Sequence, residues 1–220
     1  MTVGTSQLVV PRLRGVSHGI AFLLAVAAAV IVIVLAPGGR ATVAVAIYGA
    51  GLMALFGTSA LYHRWPGPPR LKPVLQRMDH VTIFVFIAAC YTPIALIVLH
   101  GALTWVVLAV AWIGAAAGVT LSVGAAGPPR ALLAGSYLAL GWVALIAVPQ
   151  LLSELGPAPL ILLGGGGLLY SAGAVVYAVQ RPDPWPRTFG FHEVFHVLVI
   201  LAAAAQYIAV VGWMLRPELV

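Results

Sequence analysis

Seven long apolar stretches, each long enough to cross a lipid bilayer, follow one another through the sequence. They lie at 16–36, 41–63, 78–99, 102–123, 131–152, 158–180 and 191–214. A helix needs about 20 apolar residues, at about 1.5 Å of rise each, to span the hydrocarbon core. Charged residues make up only 7% of the chain, against roughly 25% in soluble proteins. We therefore predict an all-α, polytopic membrane bundle of seven transmembrane helices.

The connections between the stretches are short and contain the proline and glycine that are typical of turns. Examples are Pro37-Gly38-Gly39, Gly127-Pro128-Pro129 and Pro182-Asp183-Pro184. Short connections leave no room for a soluble domain, so we expect one membrane domain over residues 1–220. The first stretch follows two arginines, as in a signal peptide, but it is longer than the apolar region of such peptides. We interpret it as the first transmembrane helix.

Lysine and arginine are divided unevenly between the two ends of the predicted helices. Nine lie on the side of the N-terminus: Arg12, Arg14, Arg64, Arg70, Lys72, Arg77, Arg130, Arg181 and Arg187. Only Arg40 and Arg216 lie on the other side. The positive-inside rule then places the N-terminus in the cytoplasm and the C-terminus outside. We expect the protein to lie in the inner cell membrane. Because the basic residues lie in loops rather than on one face, we do not expect a nucleic acid partner.

Five of the six histidines fall at the predicted cytoplasmic ends of helices. Ionisable residues in membrane helices are costly and usually functional. His192 and His196 are four residues apart, hence on one helical face, and can chelate one ion. His63, on another helix, can supply a third nitrogen. Three histidines with one open position are the ligand set of a catalytic zinc site, although imidazole also suits other transition metals.

Two further polar residues are predicted to lie at the same end and to act on a water at the metal. Asp79 can hold or deprotonate that water, whose pKa zinc lowers to about 7. Ser59, one turn deeper than His63, can hydrogen-bond that water or the oxygen of a polarised carbonyl. His80 points about 100° away from Asp79 around the helix, which favours a structural role. For His18, a partner of the site and a packing residue remain equal alternatives.

The segment 192–196 also fits H-E-x-x-H, the zinc metalloprotease motif in which the glutamate is the general base. Membrane-embedded proteases with this motif need a third ligand from a later helix. No later helix follows here, and Asp183 precedes the motif in a proline-rich loop. We therefore favour Asp79 over Glu193 as the base and keep proteolysis as an alternative.

Three features concern packing rather than chemistry. Pro93 lies inside the third helix and predicts a kink there. Small residues in Gly114-x-x-x-Gly118 and at 164–167 let backbones approach closely. We expect them to pack within the bundle rather than to form a dimer. Gln206, far along the seventh helix, is expected to make hydrogen bonds between helices.

The segments that contain these residues resemble bacterial hemolysin III. They are Arg14-Gly15-Val16-Ser17-His18, Gly57-Thr58-Ser59-Ala60-Leu61-Tyr62-His63, Asp79-His80, Tyr91-Thr92-Pro93 and Gly190-Phe191-His192-Glu193-Val194-Phe195-His196. That group belongs with the progestin and adipoQ receptors and, more distantly, with alkaline ceramidases. The resemblance covers nearly the whole chain and implies a seven-helix fold with a cytoplasmic N-terminus.

The same resemblance implies Zn2+ held by His63, His192 and His196, with Ser59 and Asp79 near the water on the metal. Ala89-Cys90 replace a Gly-Thr pair that is usual at this position, and neither residue is expected to bind metal. The sequence lacks the long N-terminal domain of the receptors, so we do not expect hormone binding.

These observations lead to a functional prediction. We expect a zinc-dependent site that hydrolyses an amide or ester bond in a membrane lipid, or a lipid sensor that uses the same pocket. The alternative is a non-enzymatic regulator of membrane lipid composition in which zinc only ties helices together. A cytolytic pore-former is disfavoured because the chain lacks an extended amphipathic segment to line a lumen.

Overall fold

The computed structural model of this chain describes residues 10–124, 128–216 and 219. Its described part contains seven helical spans long and apolar enough to cross a membrane, which we number α1 to α7. They are Val16–Leu35, Gly39–Arg64, Pro69–Val98, Ala102–Val123, Arg130–Leu155, Pro157–Val179 and Phe191–Met214. No strand occurs in these described residues; one isolated bridge joins Trp185 and Phe189. The predicted all-α membrane bundle of seven helices is confirmed.

The outer faces of the helices carry large apolar side chains that no other helix covers. Leu23 of α1 is 69% exposed, Trp105 of α4 is 68% exposed and Ile161 of α6 is 73% exposed. In water such a surface would be highly unfavourable, but a bilayer solvates it. The chain is therefore a multi-pass membrane protein.

The third span begins earlier than its apolar stretch indicates. The apolar run predicts a start at residue 78, whereas the structure starts α3 with a 3-10 turn at Pro69–Leu71 and continues as α-helix from Lys72. Pro73 occupies the first turn, where its missing N–H costs no hydrogen bond. The first turns of α3 are polar, so the apolar stretch did not predict them. The other spans begin and end within about three residues of the predicted limits, and Gly127 lies outside the described residues.

The α3 and α5 spans both depart from regular α-geometry. At Pro93, where a kink was predicted, α3 changes to a π-helix over Ile94–Val98. Proline lacks the N–H that would bond to the preceding turn, and regular α-geometry ends at this residue. The α5 span, predicted as one continuous helix at 131–152, contains a 3-10 segment at Trp142–Ala147.

Tyr91 of α3 holds the irregular part of α5. Its hydroxyl donates to the carbonyl oxygens of Leu140, at 3.0 Å, and Gly141. The same hydroxyl accepts a hydrogen bond from the Ala144 N–H at 2.8 Å. Backbone groups freed by the break in α5 therefore find partners inside the bundle, as groups at membrane depth must.

The glycines of α4 pack within the chain, as predicted. A Cβ atom at Gly118 would lie 2.2 Å from the Phe84 ring, and one at Gly114 would lie 2.5 Å from Leu140. The glycine run of α6 behaves differently. At Gly166 a Cβ would lie 3.2 Å from a backbone oxygen of α7, but at Gly164 it would meet nothing within 4 Å among the described residues. Gly164 therefore does not pack closely against a neighbouring helix; it borders a cavity inside the bundle.

Candidate metal centre

Three histidines meet where the end of α2 lies beside the start of α7. His63 occupies the last turn of α2, and His192 and His196 occupy successive turns of α7 on one face. Each offers a ring nitrogen, and these three atoms lie within 4.8 Å of one another. The Nε2 atoms of His63 and His192 are 3.0 Å apart. The structure therefore brings together the three residues that sequence analysis selected as ligands.

The donor set fits a tetrahedral cation. Nitrogen ligands at about 2.0–2.1 Å from zinc lie roughly 3.3 Å from one another, so small side-chain adjustments bring these three rings to that spacing. His196 is 1% exposed, and its Nδ1 atom has no hydrogen-bond partner among the described residues. A buried ring nitrogen without a partner is costly unless a ligand satisfies it. The chemistry of three neutral imidazoles matches zinc.

His18 of α1 belongs to the same cluster of side chains. Its ring stacks on His196, with centroids 3.6 Å apart and planes 12° apart. Its Nδ1 atom lies 2.8 Å from the Ser59 hydroxyl oxygen. The sequence left two roles open for His18, a partner of the site or a packing residue. The structure supports the first, because His18 contacts both Ser59 and His196. His18 links Ser59, one turn before His63 on α2, to the ring of His196.

Asp79 and His80 open the membrane part of α3 at the same end of the bundle. Asp79 is buried and lines one cavity together with Ser59 and His63. It is not part of the three-histidine group, the one group of potential metal ligands found in the described chain. His80 turns toward Tyr177, whose hydroxyl lies 3.4 Å from the His80 Nε2 atom. It also lines the cavity, so its position is not remote from the site.

The glutamate of the H-E-x-x-H motif is fully engaged elsewhere. Glu193 is 1% exposed, and its Oε1 atom lies 2.5 Å from the Arg14 Nε atom. Its Oε2 atom accepts a hydrogen bond from the Gly190 N–H at 2.8 Å. A carboxylate here caps the start of α7 and interacts favourably with the helix dipole. Asp183 also serves this helix end, because its Oδ1 atom accepts the Phe191 N–H at 2.9 Å.

The segment before α1 crosses the same region. The backbone N–H groups of Arg12 and Leu13 donate to the carbonyl oxygens of Arg187 and Thr188, both at 3.1 Å. Gly15 has a φ of 77°, and a Cβ atom there would lie 2.5 Å from the His63 Cβ atom. Only glycine tolerates both this backbone conformation and this approach. The residues from Arg12 to Gly15 therefore support both helices that carry the histidines.

A cavity of about 480 Å³ runs from this centre into the bundle. Its polar end is lined by Arg14, His18, Ser59, His63, Asp79 and His192. Further in, the walls are mainly apolar, with side chains from five helices such as Leu55, Ile83, Phe86, Ile94, Leu151 and Leu163. Glycines of α6 make part of the wall. The histidine centre thus lies at one end of a cavity whose middle walls are mainly apolar.

Comparison with known proteins identifies the family. The model of haemolysin-III related proteins matches residues 6–207 of the chain. The chain belongs to this family. The match spans all of α1 to α6 and most of α7, and the resemblance expected from the sequence motifs is confirmed.

Several known proteins are similar in sequence to this haemolysin-III related chain. It is 30% identical to "Hemolysin-3" of Bacillus cereus over 208 residues, which cover 92% of this chain and 90% of that protein. It is 31% identical to "Hemolysin-3 homolog" of Bacillus subtilis (strain 168) over 206 residues, covering 92% and 93%. It is 29% identical over 175 residues to the human "Monocyte to macrophage differentiation factor", covering 77% and 70%. This last similarity supports the relation to the progestin and adipoQ receptor group.

Sequence reasoning missed Arg14 and Gly15 as parts of the site. From the sequence, Arg14 was assigned to the topology and to the first segment that resembles hemolysin III, without a contact to the site. Gly190 and Glu193 have the spacing of a helix-capping pair, which could have shown that Glu193 is occupied at its own helix end. Neither the partner of that glutamate nor the approach at Gly15 is encoded in a short motif, since both contacts join residues far apart in the chain.

Proposed function

We propose that this protein binds Zn2+ through His63, His192 and His196 and hydrolyses an amide or ester bond of a membrane lipid at that centre. The observation that carries the proposal is the three-imidazole group, two of whose members, His63 and His192, line the polar end of a largely apolar cavity. A volume of about 480 Å³ lies within the range of ligand pockets. The apolar walls suit a hydrocarbon chain, and the polar end suits its head group.

The side chains around the centre have separable roles in this proposal. When bound, zinc supplies Lewis acidity, which polarises a carbonyl oxygen and acidifies water. Asp79 accepts a proton from the attacking water and returns it to the leaving group. Ser59 donates a hydrogen bond to the carbonyl oxygen. His18, bonded to Ser59 at 2.8 Å, fixes the direction in which that hydroxyl points.

The occupied state of Glu193 supports Asp79 as the base rather than a protease-like mechanism. Both Glu193 oxygens are bound, one to Arg14 and one to the Gly190 N–H. A general base must lie within hydrogen-bond reach of the water that it deprotonates. Asp79 lies on the cavity wall, whereas Glu193 is not among its lining residues. Lipid hydrolysis therefore agrees better with the geometry than intramembrane proteolysis does.

The test uses purified protein with defined amide and ester lipids, and released fatty acid as the readout. Asp79→Asn keeps the size of the side chain but cannot take up a proton. It should retain zinc and lose about 10²–10⁴-fold in rate, the usual contribution of a general base. Glu193→Gln is the matched control; because it leaves Arg14 without its partner, its rate is expressed per folded, zinc-containing chain, and that rate should stay close to wild type. The reverse pattern, with activity lost in Glu193→Gln alone, would contradict the proposal.

A second candidate, a non-enzymatic regulator of lipid composition with structural zinc, has one observation in its favour. The three histidines join α2 to α7, so a cation there would tie together helices far apart in sequence. This candidate predicts that the histidine variants change cellular lipid composition while Asp79→Asn and Ser59→Ala do not. Lipid profiling of cells that express each variant separates the two functions.

A further inference from the structure

The deep end of the cavity is polar, although it lies far from the histidine centre. Cys90 of α3, Tyr170 of α6 and Gln206 of α7 line it. Gln206 follows His196 by ten residues on an uninterrupted helix, and Cys90 follows Asp79 by eleven. At about 1.5 Å per residue, both side chains lie roughly 15 Å from the metal centre along the bundle. The cavity therefore has polar groups at both ends and apolar walls between them.

Two tyrosine hydroxyls at or near the deep end lack hydrogen-bond partners among the described residues. The Tyr170 hydroxyl oxygen is buried without a hydrogen-bond partner among the described residues, although its ring is partly exposed. The Tyr48 hydroxyl, near Cys90, is also buried and unpartnered. Gln206 is 8% exposed and faces the Cys90 thiol. A buried hydroxyl or amide without a partner is unfavourable, so native structures normally satisfy each one.

We propose that Tyr170 and Gln206 form a second binding subsite, which recognises a hydroxyl or carbonyl group carried part-way along the hydrocarbon chain of the ligand. The proposal rests on the proposed function in one respect: a lipid must enter the cavity with its head group at the histidine centre. An extended chain advances about 1.3 Å per carbon, given C–C bonds of about 1.5 Å. The subsite thus lies near the twelfth carbon of such a ligand.

The side chains at the subsite suit both directions of hydrogen bonding. The Tyr170 hydroxyl donates or accepts one bond, and the Gln206 amide offers a carbonyl oxygen and two N–H donors. A ligand hydroxyl would supply the partner that the Tyr170 hydroxyl lacks and could also bond to the Gln206 amide, whereas a plain methylene chain would leave Tyr170 without a partner. Gly164, where a Cβ atom would meet nothing within 4 Å, leaves space for the chain on the way. The subsite would bind oxygenated chains more tightly than plain ones. A plain chain would cover the polar groups of Tyr170 and Gln206 without forming a hydrogen bond to them, which is unfavourable.

The test compares stearic acid with 12-hydroxystearic acid on the purified full-length protein in detergent. Competition against radiolabelled stearate gives both affinities. Wild type should bind the hydroxylated acid about tenfold more tightly, as one well-made buried hydrogen bond allows. Tyr170→Phe and Gln206→Leu should each abolish most of that preference while leaving the affinity for stearate within about twofold. Tyr207→Phe is the matched control, because its hydroxyl donates to the Ala28 carbonyl oxygen instead.

The outcomes separate this proposal from the hydrolysis proposal. Equal affinity for the two acids in wild type would overturn the subsite and indicate that water satisfies these groups. A preference that persists in both Tyr170→Phe and Gln206→Leu would overturn the assignment of residues. No binding of either acid would overturn lipid entry into the cavity, and the subsite with it. If the protein neither hydrolyses lipid nor holds zinc but still prefers 12-hydroxystearic acid, the proposed hydrolysis is contradicted and the subsite is not.

Discussion

Replacing Arg14 with alanine should destabilise the whole bundle, because it leaves Glu193 as a buried carboxylate without its cation. In the structure Glu193 is 1% exposed and Arg14 is 21% exposed. Removal of one partner from a buried ion pair costs about 3–5 kcal/mol. The Gly190 N–H still binds one carboxylate oxygen and the guanidinium is partly solvated, so we expect the lower end, about 3 kcal/mol. The effect should reach the metal centre, since Glu193 lies beside His192.

The assay is reversible unfolding of purified protein in mixed micelles, with zinc content measured on the same samples. Arg14→Ala should lower the free energy of unfolding by about 3 kcal/mol and reduce zinc retention. The double variant Arg14→Met with Glu193→Gln removes both charges and should recover most of the lost stability, because it leaves no uncompensated charge in the interior. Arg64→Ala, on a neighbouring exposed arginine without an ion-pair partner among the described residues, is the control. If Arg14→Ala unfolds like wild type, or the double variant is no better than the single one, the reasoning is refuted.

Three other predictions follow from the fold. Gly15→Ala should lower zinc content, measured by metal analysis, because its Cβ would clash with His63 at 2.5 Å; the same change at Gly38, which has open space around it, should not. Tyr91→Phe should cost about 1–3 kcal/mol in unfolding free energy by stranding backbone groups of α5, whereas an unchanged stability would show that those groups find other partners. A reporter fused after Val220 should be active outside the cytoplasm, as the nine basic residues on the opposite side indicate; a cytoplasmic signal would contradict the orientation.

Much of the fold follows from apolar length alone. Helices such as α4, at Ala102–Val123, coincide with their apolar stretches because both ends are marked by glycine and by the loss of apolar residues. Apolar length does not predict the ends of a helix that is longer than the membrane is thick. The first turns of α3 contain Lys72 and Arg77, and only the helical geometry of the backbone, not hydropathy, reveals them. The break in α5 was missed because Tyr91, which satisfies it, lies about 50 residues away in the chain.

The candidate site divides in a similar way. The three histidines were selected because two of them share a helical face and the third falls at the same end of the bundle, and both facts can be counted from the sequence. The stacking of His18 on His196 and the occupation of Glu193 by Arg14 depend on how α1 packs against α7. Such contacts are set by tertiary packing rather than by local spacing. The same holds for the polar deep end of the cavity, where Gln206 was interpreted only as a residue for contacts between helices.

Zinc stoichiometry tests the central claim most directly. The full-length protein, purified without added metal or chelator, should contain about one zinc per chain, and His63→Ala, His192→Ala and His196→Ala should each lose most of it, because zinc seldom stays bound with two protein ligands. His80→Ala, whose ring lies at the cavity wall near Tyr177 rather than in the three-histidine group, should keep its zinc. Wild-type protein without zinc, or full zinc in the His63→Ala variant, would contradict the account.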